Sequence, residues 1–89
     1  MKITKRSGRI VVYDDEKLVN SIMRANKETG EKLTVNEAEY LTDVVIGRLA
    51  KVYSIITTQM IKEGIYDALM EKDLWLTAKQ YKEFKKEEK

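Results

Sequence analysis

The sequence predicts an α+β domain, mainly helical: a β-hairpin cap on a small four-helix bundle. Three observations predict it. Residues 2–13 alternate well enough for a hairpin, with β-branched residues on either side of a Ser7-Gly8 turn. Four later segments carry apolar residues at helical spacing. Capping or breaking residues bound these segments, and proline is absent from all 89 residues. That length supports one compact domain, residues 1–89, near the lower size limit for unaided folding.

In the hairpin, Ile3 and then Ile10, Val11, Val12 and Tyr13 supply β-branched and aromatic residues. A two-stranded hairpin is marginal alone in water, so this one is expected to lie on helices. Tyr53–Ile56 is a candidate third strand. Asp14 is placed to cap a first helix over residues 15–28, with Leu18, Ile22 and Ala25 at helical spacing and Val19 and Met23 beside them. Gly30 ends it. Thr34-Val35-Asn36-Glu37 has capping-box form and opens a second helix over 35–50, with a stripe of Ala38, Leu41, Val45, Leu49 and Val52. Thr57 or Thr58 caps a third over 58–71, carrying Ile61, Ile65, Ala68 and Leu69 on one face. Asp73 is read as the start of a fourth over 74–87, with Leu74, Ala78 and Tyr81 inward and Trp75 and Phe84 adding to that side. The tail from Lys85 is charge-rich and is expected to fray.

Composition narrows the function. Seventeen basic and fifteen acidic residues leave a net charge of only +2, little pull toward nucleic acid. Cysteine and histidine are both absent, which removes disulfides, thiol chemistry, the usual zinc sites and imidazole catalysis. No apolar run approaches the roughly 18 residues of a membrane span. The expected setting is the cytoplasm, with no membrane partner.

Local clusters must therefore carry any binding argument. Lys5, Arg6, Arg9 and Lys17 gather near the first turn, where a hairpin laid over the helix behind it would aim them at one opening. Phosphate suits such a cluster, since charge-assisted hydrogen bonds contribute roughly 1.5–3 kcal/mol each when well placed. The plainer reading is an edge strand protected from aggregation by charge. Thr57 and the free N–H groups behind it could meet a phosphate, or simply cap a helix. Asp14 could accept from a base amino group or a ribose hydroxyl. Lys79, Lys82, Lys85 and Lys86 line one side of the last helix; a solvated face explains them, although Lys85 or Lys86 could reach back toward the hairpin. No phosphate-cradling glycine loop and no nucleophile–base pair are present, so binding without turnover is expected, and no metal site.

These residues resemble a known family. Ile3, Lys5-Arg6-Ser7-Gly8, Tyr13-Asp14 and Lys17-Leu18 are similar to the opening of the ATP-cone, the regulatory domain at the N-terminus of ribonucleotide reductases and in their transcriptional repressor. Ile56-Thr57 with Ile61 and Ile65 is similar to its third-helix segment. Ala78-Lys79-x-Tyr81-x-x-Phe84-Lys85 is similar to its closing pattern. Ser7 stands where the family usually has Asp, both being turn formers.

The resemblance implies an ATP or dATP effector, with Mg2+ as a candidate companion. It implies control of a reductase catalytic domain or subunit, of the anaerobic class by preference, through activity or oligomeric state. It also implies roles: Lys5 and Arg6 on phosphates, Lys17 near the ribose-phosphate, Thr57 on a phosphate, Lys85 or Lys86 closing the site, Asp14 on base or sugar. The alternatives are a degenerate cone serving as an interaction module, or a small nucleic-acid-binding regulator.

Overall fold

The computed structural model describes the backbone of residues 2–4, 10–12 and 14–87 and the side chains of 14–83. Four helices build the domain: α1 Asp15–Thr29, α2 Val35–Val52, α3 Thr58–Glu71 and α4 Trp75–Glu87. Short connections over 30–34, 53–57 and 72–74 turn each helix back along its predecessor. Each helix packs on its neighbours in sequence, and α4 closes the ring against α1, which leaves α1 and α3 on a diagonal. None of the described helices is long and apolar enough to cross a membrane.

Local chemistry accounts for most of the helix ends. Asp14 Oδ1 accepts from the N–H groups of Glu16 and Lys17 at 3.1 and 3.3 Å, and Asp15 and Glu16 follow at the positive end of the α1 dipole. Gly30 adopts φ 77°, the left-handed conformation that glycine takes without a Cβ penalty, and so stops α1. Thr34 and Glu37 form the expected capping box: the Glu37 N–H donates to Thr34 Oγ1 at 3.1 Å, and the Thr34 N–H to Glu37 Oε1 at 2.9 Å.

The core runs along the bundle axis. Ile22, Leu41, Ile65, Leu69 and Tyr81 are its largest fully buried apolar side chains, with Val19, Ala25, Ala38, Val45, Ile61 and Ala78 around them. Leu33 and Ile56 close it from the first two connections. Burying an isoleucine or leucine contributes roughly 1.5–3 kcal/mol, so this column dominates stability. α2 and α3 approach closely where Gly64 meets Val45: a Cβ on Gly64 would lie 2.7 Å from Val45 Cγ1.

Three expectations are corrected. The α+β class with a β-hairpin cap does not hold: the domain is a four-helix bundle, with no β layer built on it among the described residues. Its extended segments Lys2–Thr4 (β1) and Ile10–Val12 (β2) are three residues each and pair antiparallel with one another, Ile3 opposite Val11. Strands so short offer too little surface to form a layer. The candidate third strand at 53–56 is irregular connection, with a single bridge position at Thr57. The Ser7-Gly8 turn lies outside the described residues.

The second correction concerns side chains assigned to the core. Val52 is 72% exposed and Trp75 60% exposed. Both sit in terminal turns, where a helix projects past its partners and periodicity no longer reports burial. Phe84 lies outside the described side chains. α4 continues to Glu87, so the stretch from Lys85 expected to fray is helical at first.

The third correction is Asp73, which ends α3 instead of starting α4. Lys72 is the C-cap; the Asp73 N–H donates to Met70 O at 3.0 Å and the Leu74 N–H to Leu69 O at 2.9 Å. This is a Schellman closure, with Asp73 at φ 62° in the position that usually belongs to glycine. Asp73→Gly is therefore expected to stabilise the domain by about 0.5–1 kcal/mol, read as a higher urea midpoint at unchanged slope. A lower midpoint would show that the Asp73 side chain has a role of its own.

Candidate functional site

The alternating helix directions divide the bundle into two poles. One gathers the starts of α1 and α3 and the end of α4; the other gathers the end of α1, the α1–α2 connection and the start of α4. The second pole is held by a polar network. Asn26 Nδ2 donates to Glu31 O at 2.8 Å and to Thr77 Oγ1 at 3.1 Å. Thr77 donates its N–H and its hydroxyl to Glu31 Oε1 at 2.7 and 2.6 Å, while the Leu76 N–H donates to Oε2 at 3.2 Å.

Glu31 thus caps α4 from another connection, because the residue before that helix, Leu74, has no polar side chain. Partial desolvation pushes the Glu31 carboxyl up, but the bonds from the Thr77 hydroxyl, the Thr77 N–H and the Leu76 N–H together outweigh it and hold the pKa below the ordinary 4.5. A carboxylate with a depressed folded pKa stabilises the fold above its unfolded value, and that stability is lost as pH falls through the folded value. Glu31→Gln is expected to cost about 1.5 kcal/mol at neutral pH. The difference from wild type should shrink as pH drops below the ordinary 4.5. Urea unfolding of both proteins across pH checks this; a pH-independent gap would rule out the charged cap.

The same contact sets the register of α1 against α4. Lys17 lies nine residues before Asn26 and Lys86 nine after Thr77, so at 1.5 Å rise per residue both stand about 14 Å along their helices from that contact. The first pole therefore brings the backbones of Lys17, Lys85 and Lys86 level with one another, beside the Asp14 cap. The Lys17 side chain is exposed. The side chains of Lys85 and Lys86, and all of Lys5 and Arg6, lie outside the described residues, as does Arg9.

The two helix starts at this pole differ in charge. That of α1 is already opposed by Asp14, Asp15 and Glu16, whereas the first turn of α3 holds no acid. Thr57 is its N-cap: its Oγ1 accepts from the Met60 N–H at 3.1 Å, leaving the hydroxyl proton able to donate outward. Its own N–H donates to Met60 Sδ at 3.4 Å, and a thioether is a weak acceptor that an anionic oxygen would readily replace. The plain capping roles weighed for Asp14 and Thr57 are thus present, and neither uses all of its hydrogen-bonding capacity. Sequence reasoning did not single out Met60; a thioether three residues after a helix cap carries no recognisable signal. Among the described residues, no group of acids could hold a metal ion.

The acid-free start of α3 suits this pole to an anionic ligand. The chain belongs to the ATP cone domain family, whose model matches residues 1–89, the whole chain. ATP cones are nucleotide-binding regulatory domains without catalytic activity, and ATP and dATP are their effectors. No curated protein matches the chain.

Proposed function

We propose that this domain binds ATP or dATP at the pole formed by the starts of α1 and α3 and the end of α4, and thereby controls a ribonucleotide reductase. The reading rests above all on the family match over residues 1–89. It is supported by the acid-free start of α3, which leaves the helix dipole and the Thr57 hydroxyl available to a phosphate. In this reading Lys5 and Arg6 hold phosphates, Lys17 stands by the ribose-phosphate, Lys85 or Lys86 closes the site and Asp14 meets base or sugar. Mg2+ would screen the polyphosphate, and the cytoplasm is the setting.

The domain's own contribution is positional. N–H groups already held at a helix start cost little to order when the anion arrives, so a few charge-assisted contacts added to them reach micromolar affinity, about −8 kcal/mol. Titration calorimetry with ATP and dATP, with and without Mg2+, tests it directly: saturable heat and a raised melting temperature are expected. Absence of both would remove the proposal. The control of a reductase is tested separately, by its activity and sedimentation with and without the domain and nucleotide.

A further inference from the structure

The chain's one tryptophan, Trp75, is on the surface, 60% exposed, although small domains ordinarily spend such a side chain on their core. It borders an open groove of about 510 Å³ between α3 and α4, lined by Tyr66, Met70, Trp75, Lys79, Lys82 and Glu83. Met70 is also exposed, at 37%. Trp, Tyr and Met are the residues that protein interfaces concentrate at their centres. The groove runs from the pole held by Glu31 and Thr77 along α4 as far as Glu83, and neither Thr57 nor Lys17 of the proposed nucleotide site is among its lining residues.

We propose that this groove docks an acidic amphipathic helix of a partner protein. Shape is the first reason: a trough between two antiparallel helices accepts a third lying along it. Charge is the second. Lys79 and Lys82 stand one turn apart on the α4 lip against a single acid, Glu83, so the lining is net positive. Lys82 Nζ lies 4.9 Å from the centre of the Tyr66 ring, which holds that charge at the groove and not out in solvent. A second copy of this chain fits less well, because a two-fold pairing sets this net-positive patch against itself. Nucleic acid fits poorly too: an apolar floor with two lysines, in a chain of net charge +2, is not a phosphate-tracking stripe.

Trp75 is its own reporter. The probe is a synthetic leucine-faced helical peptide flanked by glutamates, with a lysine-flanked counterpart as control. The acidic peptide is expected to shift Trp75 emission to the blue, with affinity that weakens as salt rises. Labelled-peptide anisotropy on a Lys79→Glu, Lys82→Glu double variant and on Trp75→Ala should each show about a tenfold or greater loss. The melting shift with ATP should be unchanged in both, which separates failure of this surface from failure of the nucleotide reading. No response to the acidic peptide would overturn the proposal. So would equal binding of the basic one, a Trp75 response to single-stranded DNA in its place, or emission that shifts with protein concentration alone.

Discussion

Ile65→Ala is expected to unfold with about 3 kcal/mol less free energy than the parent domain. Ile65 is 0% exposed at the middle of α3, within the column that includes Leu41, Leu69 and Tyr81. Removing three carbons there forfeits transfer energy and leaves a cavity that close-packed helices collapse around only in part. A domain of this size holds about 5–10 kcal/mol in total, so the change takes a large share of it and lowers the melting temperature by about 15 °C. Trp75→Ala, on the exposed rim, is the matched control and should stay within about 0.5 kcal/mol. Calorimetric melts of the two variants check the contrast. If Trp75→Ala proved the costlier, the burial described for the bundle would be wrong.

The second large effect concerns ligand. On the proposed reading, Lys5→Ala with Arg6→Ala removes two charge-assisted contacts to phosphate, together roughly 3 kcal/mol or more, and ATP affinity falls about a hundredfold. The melting point without nucleotide should stay within a few degrees, since the described core is built from the four helices and the connections between them. The ratio of ATP to dATP affinity should also change little, because phosphate contacts do not sense the sugar. Isothermal titration of the double variant decides it. Unchanged affinity would refute the assignment of these two cations, while leaving family membership intact.

Sequence and structure agree most closely where a local rule acts alone. Asp14, Gly30, Thr34 with Glu37, and Thr57 each end or begin a helix through bonds to residues two to four positions away, so sequence spacing contains the whole interaction. The buried stripes of Ile22 and Ala25, of Leu41 and Val45, and of Ile61, Ile65 and Leu69 were equally legible, since a helix must turn its apolar residues toward its neighbours. Trp75 and Val52 were misjudged by the same rule at helix ends. Periodicity gives the direction of a side chain; only packing says whether anything stands in that direction. The β cap was misjudged because alternation marks strand-forming tendency, whereas a layer requires enough paired length to cover a bundle.

Residues of the candidate site were legible in kind but not in arrangement. Lysines, a cap threonine and an aspartate could be named, and the resemblance supplied their roles. Thr57 and Lys17 are forty positions apart, and what relates them is the reversal of the chain at 30–34 and 53–57. Glu31 was not legible at all: nothing near it in sequence hints that its carboxylate starts a helix some 45 residues later.

From the chain of residues alone follow the helices, the N-caps of α1, α2 and α3, the greater part of the core and membership in a family that binds nucleotides. Tertiary structure alone decided which residue caps α4, which aromatic faces water, and which helix ends share a pole. The division has one physical cause. Helix formation and capping act within a turn or two of backbone, whereas burial, cross-chain capping and the convergence of charges exist only once distant segments have been packed against each other.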